Sequence, residues 1–76
     1  MDNYLIYSRT VCSYCVAAKN LLDSKNLQYV EKNIDHSLDD FNDMRSKAPQ
    51  MRTVPVIFKN DVLVGGYHEL LESFND

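Results

Sequence analysis

Two thiols, Cys12 and Cys15, stand three positions apart in the stretch SRTVCSYCVAAKNLL at 8–22, and the chain has no other cysteine. Three chemistries use that spacing. The first is half of a zinc site. Zinc takes four ligands, commonly as paired Cys or His groups at short spacing. The only further His or Cys donors are His36 and His68, which are far apart and unpaired. The second is a pair of inert buried thiols, since free cysteine packs as a small apolar residue. The third is a redox pair at a helix start, and the flanking residues favour it. Cys12 then sits at the helix entry, where unpaired N–H groups and the helix dipole stabilise an anion. Arg9, three residues earlier, either adds positive charge or is a plain solvated surface group. Helix start and cation together lower a thiol pKa below the free-cysteine value of about 8.5. The Cys12 thiolate attacks a disulfide sulfur, and Cys15, one turn on, resolves the mixed disulfide. Cys15 is expected to be the more buried of the two.

The elements that must position this pair are legible in outline. Residues 3–8, NYLIYS, are aromatic and β-branched enough for a buried strand. The spacing predicts a helix over 13–25 with Ala17, Ala18, Leu21 and Leu22 on one side, ending at Lys25 and Asn26. Residues 28–34, QYVEKNI, alternate as a second strand. A parallel βαβ unit follows. Ser37 caps a helix over 38–47, with Leu38, Phe41, Met44 and Ala48 as its apolar face, and Pro49 stops it. The runs 55–58 and 61–64 make a hairpin about Asn60, with Pro55 opening its first strand. Gly65-Gly66 ends it, and a last helix presents Tyr67, Leu70, Leu71 and Phe74 on one face. The order is β-α-β-α-β-β-α, read as one domain over 1–76.

Composition narrows the function. A chain of 76 residues buries only about 60–65% of its unfolded surface, so its core is thin. Apolar and aromatic residues make up 45% of it, which argues against disorder. A net charge of −3 with no long run of one sign gives no surface for nucleic acid or membrane. The start MDNYLIYS lacks a basic segment backed by an apolar one, and no apolar run reaches membrane-span length. The chain therefore reads as cytoplasmic. In a reducing compartment a lone cysteine pair is more often catalytic or metal-binding than a structural staple.

Three stretches, YSRTVCSYC at 7–15, RTVP at 52–55 and VGGYHEL at 64–70, resemble in order and spacing the signatures of the glutaredoxins. In that family an active-site C-P-Y-C is followed by T-V-P and by a G-G pair opening the last helix. The resemblance covers essentially the whole chain. It implies an α/β thioredoxin-like fold, with a four-stranded mixed sheet flanked by three helices. It further implies a monomeric thiol–disulfide oxidoreductase that uses glutathione as co-substrate. The substrates would be protein disulfides or glutathione mixed disulfides, with ribonucleotide reductase among the family's targets. Cys12 and Cys15 would be catalytic. The Val54–Pro55 bond would be cis, with the Val54 backbone pairing with the cysteinyl backbone of glutathione beside Thr53. Gly66 and the helix start would hold the γ-glutamyl group, with Tyr67, His68 and Glu69 around it. Tyr14 would pack over the sulfur site, and Arg9 would reach the other carboxylate.

Four positions depart from the family pattern: Ser13 for proline, His68 for a frequent Asp, Val56 for a frequent Gln, and Met51 for a Gln, with Gln50 one step away. Ser13 opens another reading. C-S-Y-C occurs in some glutaredoxins that hold a [2Fe–2S] cluster between two subunits through the first cysteine, here Cys12, and glutathione. The Ser13 hydroxyl can also bond nearby N–H groups or the Cys12 sulfur. A third reading is an electron donor recharged by thioredoxin reductase, which lacks the glutathione clamp. Arg9, Tyr14 and GGYHE favour the glutathione-dependent form.

Overall fold

The computed structural model describes residues 2–75. Its elements are β1 (Tyr4–Ser8), α1 (Ser13–Ser24), β2 (Tyr29–Asn33), α2 (Leu38–Lys47), β3 (Val56–Lys59), β4 (Val62–Gly65) and α3 (Tyr67–Ser73). The sheet order is β2-β1-β3-β4. β1 runs parallel to β2 and antiparallel to β3, and β4 is antiparallel to β3. This is the thioredoxin-like mixed sheet with three helices that the sequence implied.

Strand alternation makes two cores, one on each face of the sheet. Tyr4 and Ile6 of β1 and Ile57 of β3 meet Ala18 and Leu22 of α1 and Leu70 of α3. Tyr7 of β1 and Val56 and Phe58 of β3 meet Met44 of α2 and the adjoining Ala48. The central strand β1 therefore needs apolar residues on both sides, and its C-terminal end runs directly into the loop before Cys12.

Two expected core residues lie outside it. Leu38 is 72% exposed. Residues three apart fall about 60° short of a full helical turn, so Leu38 lies about 120° from Met44 around α2. Leu71 is 37% exposed, because its neighbour Leu70 already points into the sheet. β2 is an edge strand, which leaves Val30 59% exposed. The hairpin turn is Asn60-Asp61, both at positive φ (52° and 68°), so Asp61 belongs to the turn and not to β4. Pro55 sits one residue before β3 instead of opening it.

A polar junction ties β1, β2 and α1 together at the end nearest the thiols. The buried Ser8 hydroxyl donates to Glu31 Oε2 at 2.6 Å, and Lys19 Nζ donates to the same oxygen at 2.9 Å. The Ser8 bond, helped by Lys19, holds the Glu31 carboxyl below its ordinary value of 4.5. A depressed carboxyl pKa gives stability that is complete above the unfolded-state value and lost as pH falls through the folded one. Urea unfolding from pH 6 to pH 3 is therefore expected to cost the native chain about 1 kcal/mol more than Glu31→Gln, a modest figure because the junction is partly solvated. Parallel pH profiles for the two proteins would remove this role from Glu31.

Candidate functional site

α1 begins where β1 ends, and Cys12 is its N-cap, with extended backbone (φ −158°, ψ 103°). Its Sγ accepts the Cys15 N–H at 3.1 Å, one of the donors a helix start leaves unpaired. Cys12 and Cys15 are joined as a disulfide with their Cα atoms 5.2 Å apart. Cys12 is half-buried, while Cys15 is 1% exposed, on the inner side of α1 beside Ala18 and Leu22.

The loop carrying Cys12 is fixed from below by Asp35, which the sequence reading missed. Thr10 N–H donates to Asp35 Oδ2 at 2.9 Å, and Arg9 Nε lies 3.9 Å from Oδ1. The Thr10 bond chiefly, with Arg9 assisting, holds the Asp35 carboxyl below its usual range. Asn33 adds a bond from Nδ2 to Thr10 Oγ1 at 3.3 Å. Nothing local in the sequence marks Asp35, since the loop it anchors is 25 positions away.

The Val54–Pro55 peptide is cis and forms the facing wall. The Val54 carbonyl oxygen lies 3.8 Å from Cys12 Sγ. On one side of this wall opens a cleft of about 180 Å³ lined by Tyr14, Met51, Thr53, Val54, Pro55, Gly66, Tyr67, His68 and Glu69. Eight of these nine are the residues expected to bind glutathione. The Tyr14 and Tyr67 rings stack at 5.9 Å, and each lies 5.5 Å from the His68 ring. Glu69 faces its own backbone: Oε1 accepts Gly66 N–H at 2.7 Å, so its carboxylate caps the start of α3. At Gly66 a Cβ would come within 3.3 Å of Glu69 Oε1 and 3.5 Å of the Pro55 carbonyl, so glycine keeps this wall open.

Arg9, the ninth expected residue, is elsewhere. It lines a second cleft of about 460 Å³ with Ile34, Phe41, Met44, Arg45, Met51, Arg52, Thr53 and Val54. The two clefts share Met51, Thr53 and Val54. Ser13 is the exposed first residue of α1, and among the described residues its hydroxyl makes no hydrogen bond. Among the described residues no group of three or more His, Cys, Asp or Glu is placed to hold a metal ion.

Comparison with known proteins places residues 5–64 in the match to the family model described as glutaredoxin. Glutaredoxin-2, mitochondrial, of Bos taurus is 42% identical over 64 residues, covering 82% of this chain and 41% of that protein. Glutaredoxin 1 of Rickettsia felis is 35% identical over 73 residues, covering 95% of this chain and 72% of that protein. The match thus spans about two-fifths of the bovine relative's length. Among solved structures, a buckwheat glutaredoxin–glutathione complex superposes with a TM-score of 0.85 at 27% identity, over 99% of this chain and 70% of that one. Glutaredoxin 1 from Francisella tularensis, complexed with cacodylate, gives 0.78 at 28% identity, over 99% and 94%.

Proposed function

The chain belongs to the glutaredoxin family, and from this we propose that it is a glutathione-dependent thiol–disulfide oxidoreductase with C-S-Y-C as its active site. The observation that carries the reading is Cys12 Sγ at an N-cap, 3.8 Å from the Val54 carbonyl that borders the smaller cleft. The likeness of its fold to that of a buckwheat glutaredoxin in complex with glutathione lends support.

In the reaction, the Cys12 thiolate attacks the glutathionyl sulfur of a mixed disulfide. The Cys12–glutathione bond forms, the substrate's S–S bond breaks, and the substrate leaves as a thiolate that takes up a proton. A second glutathione thiolate then attacks the glutathionyl sulfur, giving oxidised glutathione and the Cys12 thiolate. The Cys15 N–H bonded to Cys12 Sγ holds that charge each time it appears. With a protein disulfide, Cys12 first joins the substrate, and Cys15 displaces it by closing the disulfide seen here.

The Val54 backbone, which borders the smaller cleft, is suited to pair with an extended peptide such as glutathione. The Tyr14–Tyr67–His68 rings cover one side of the cleft. Glu69 lines the cleft while its Oε1 caps the start of α3. We assign the protein to a compartment kept reducing by glutathione, the cytoplasm, acting as a monomer on glutathionylated proteins and protein disulfides, with ribonucleotide reductase as a candidate target.

A coupled assay tests this. With glutathione, glutathione reductase, NADPH and a glutathionylated peptide, turnover is expected; with thioredoxin reductase replacing the glutathione system, turnover is expected to be at least about tenfold slower. The reverse order would make the protein a donor recharged by thioredoxin reductase.

A further inference from the structure

We propose that the Ser8–Glu31–Lys19 junction is a brace that sets how readily the Cys12–Cys15 disulfide closes, with Lys19 and Glu31 as positioning residues for the step in which Cys15 attacks. This rests on the oxidoreductase reading and deepens it. Ser8 stands four residues before Cys12, and Lys19 stands four residues after Cys15. Both donate to one atom, Glu31 Oε2, at 2.6 Å and 2.9 Å. A single carboxylate oxygen therefore brackets the segment that holds both sulfurs. Among the described residues Ser8 is the only buried polar side chain, and its one hydroxyl proton is committed to Glu31.

The two arms of the brace differ. Glu31 belongs to β2, which is already paired with β1, so the Ser8 bond joins no new elements and instead fixes the direction of the carboxylate. The Lys19 bond joins α1 to the sheet, about one helical turn beyond Cys15. Among the described residues it is the only side-chain hydrogen bond between α1 and a strand. Cys15, Ala18 and Leu22 make the buried stripe of this helix, and Lys19 pins its margin. Once the disulfide is open, no covalent link holds the first turn of α1 to Cys12. The attack of Cys15 on a sulfur joined to Cys12 then depends on how closely the two residues are kept, which is an effective concentration. A helix tied to the sheet keeps them close, and an untied one lets them part. By linkage, the closed disulfide must strengthen the tie by the same factor.

Lys19→Met cuts the tie and leaves the sheet arm in place. Wild type and variant are equilibrated with reduced and oxidised dithiothreitol, quenched with acid and weighed after thiol blocking. Each protein disulfide opened yields two protein thiols, while dithiothreitol gives up two electrons and closes to its cyclic disulfide. The effective concentration of Cys15 for Cys12 is expected to fall about threefold to fivefold in Lys19→Met, as suits a partly solvated ion pair. Lys19→Arg, which can still donate to Glu31, is expected to stay within about 1.5-fold of wild type. Ser8→Ala is expected to have no further effect once Lys19 is gone. Urea unfolding supplies the reciprocal reading: Lys19→Met is expected to destabilise the disulfide form more than the dithiol form, by the same factor. A merely structural contact would weaken both forms equally. This equilibrium needs neither glutathione nor a protein substrate, so it judges the brace even if the glutathione assay shows no turnover. An effective concentration unchanged in Lys19→Met, equal losses from the two redox forms, or a fall in Lys19→Arg as large as in Lys19→Met would overturn the proposal.

Discussion

Cys12→Ser is expected to lower every disulfide-exchange rate by at least about a thousandfold, because the attacking thiolate is gone and a serine hydroxyl is no substitute near neutral pH. Cys15→Ser is expected to behave differently. On glutathionylated substrates it is expected to keep activity within about threefold of wild type, since free glutathione supplies the second thiolate. On protein disulfides it is expected to lose most of its rate. The division follows from geometry. Cys12 is half-buried at the helix entry with its sulfur bonded to a backbone N–H, whereas Cys15 is 1% exposed and sealed against the sheet. A substrate disulfide can reach only the first; the second can act only on a sulfur already joined to Cys12. Initial rates with both substrate classes for the two variants decide the matter. An active Cys12→Ser beside a dead Cys15→Ser would reverse the assignment.

Gly65→Ala is expected to destabilise the fold by about 2–3 kcal/mol, a large share of the roughly 4–11 kcal/mol that a domain of this size possesses. Two separate causes contribute. Gly65 has φ +127°, a backbone region that side-chain-bearing residues rarely adopt. A Cβ there would also lie 2.8 Å from Glu69 Cγ and 2.9 Å from its Oε1, the oxygen that caps α3. Urea unfolding of Gly65→Ala in wild-type and Glu69→Ala backgrounds separates them. In the Glu69→Ala background the penalty is expected to shrink by about 1 kcal/mol, with the backbone part remaining. A penalty below about 0.5 kcal/mol in the wild-type background, or one that vanishes without Glu69, would show that the backbone conformation carries no strain.

The legible parts of this molecule are those whose meaning is local. Cys12 and Cys15 with helix-forming residues behind them, Ser37 ahead of α2, and Gly65-Gly66 at the join of β4 and α3 each declare themselves within a few residues. Their order is enough to place α1 between two parallel strands. What the sequence hides is set by packing between distant segments. Val30 reads as a strand residue but is exposed because β2 falls at the sheet edge. Leu38 reads as part of an apolar stripe, yet a spacing of three turns it away from Met44. Asp35, Arg45 and Arg52 are ordinary surface types, and only the fold brings Asp35 beneath the Cys12 loop or gathers the arginines about Arg9. Glu69 shows the reverse case, since its position beside the cleft suggests a ligand contact while its carboxylate closes on Gly66.

The most direct test of glutathione handling is to trap the first covalent intermediate. Cys15→Ser, fully reduced and then mixed with an equimolar glutathionylated peptide, is quenched with acid and weighed by intact-protein mass spectrometry. The account predicts protein carrying one glutathionyl group on Cys12, with the peptide released as its free thiol. Protein carrying the peptide instead, or no adduct at all while the wild type reduces the same peptide, would contradict it.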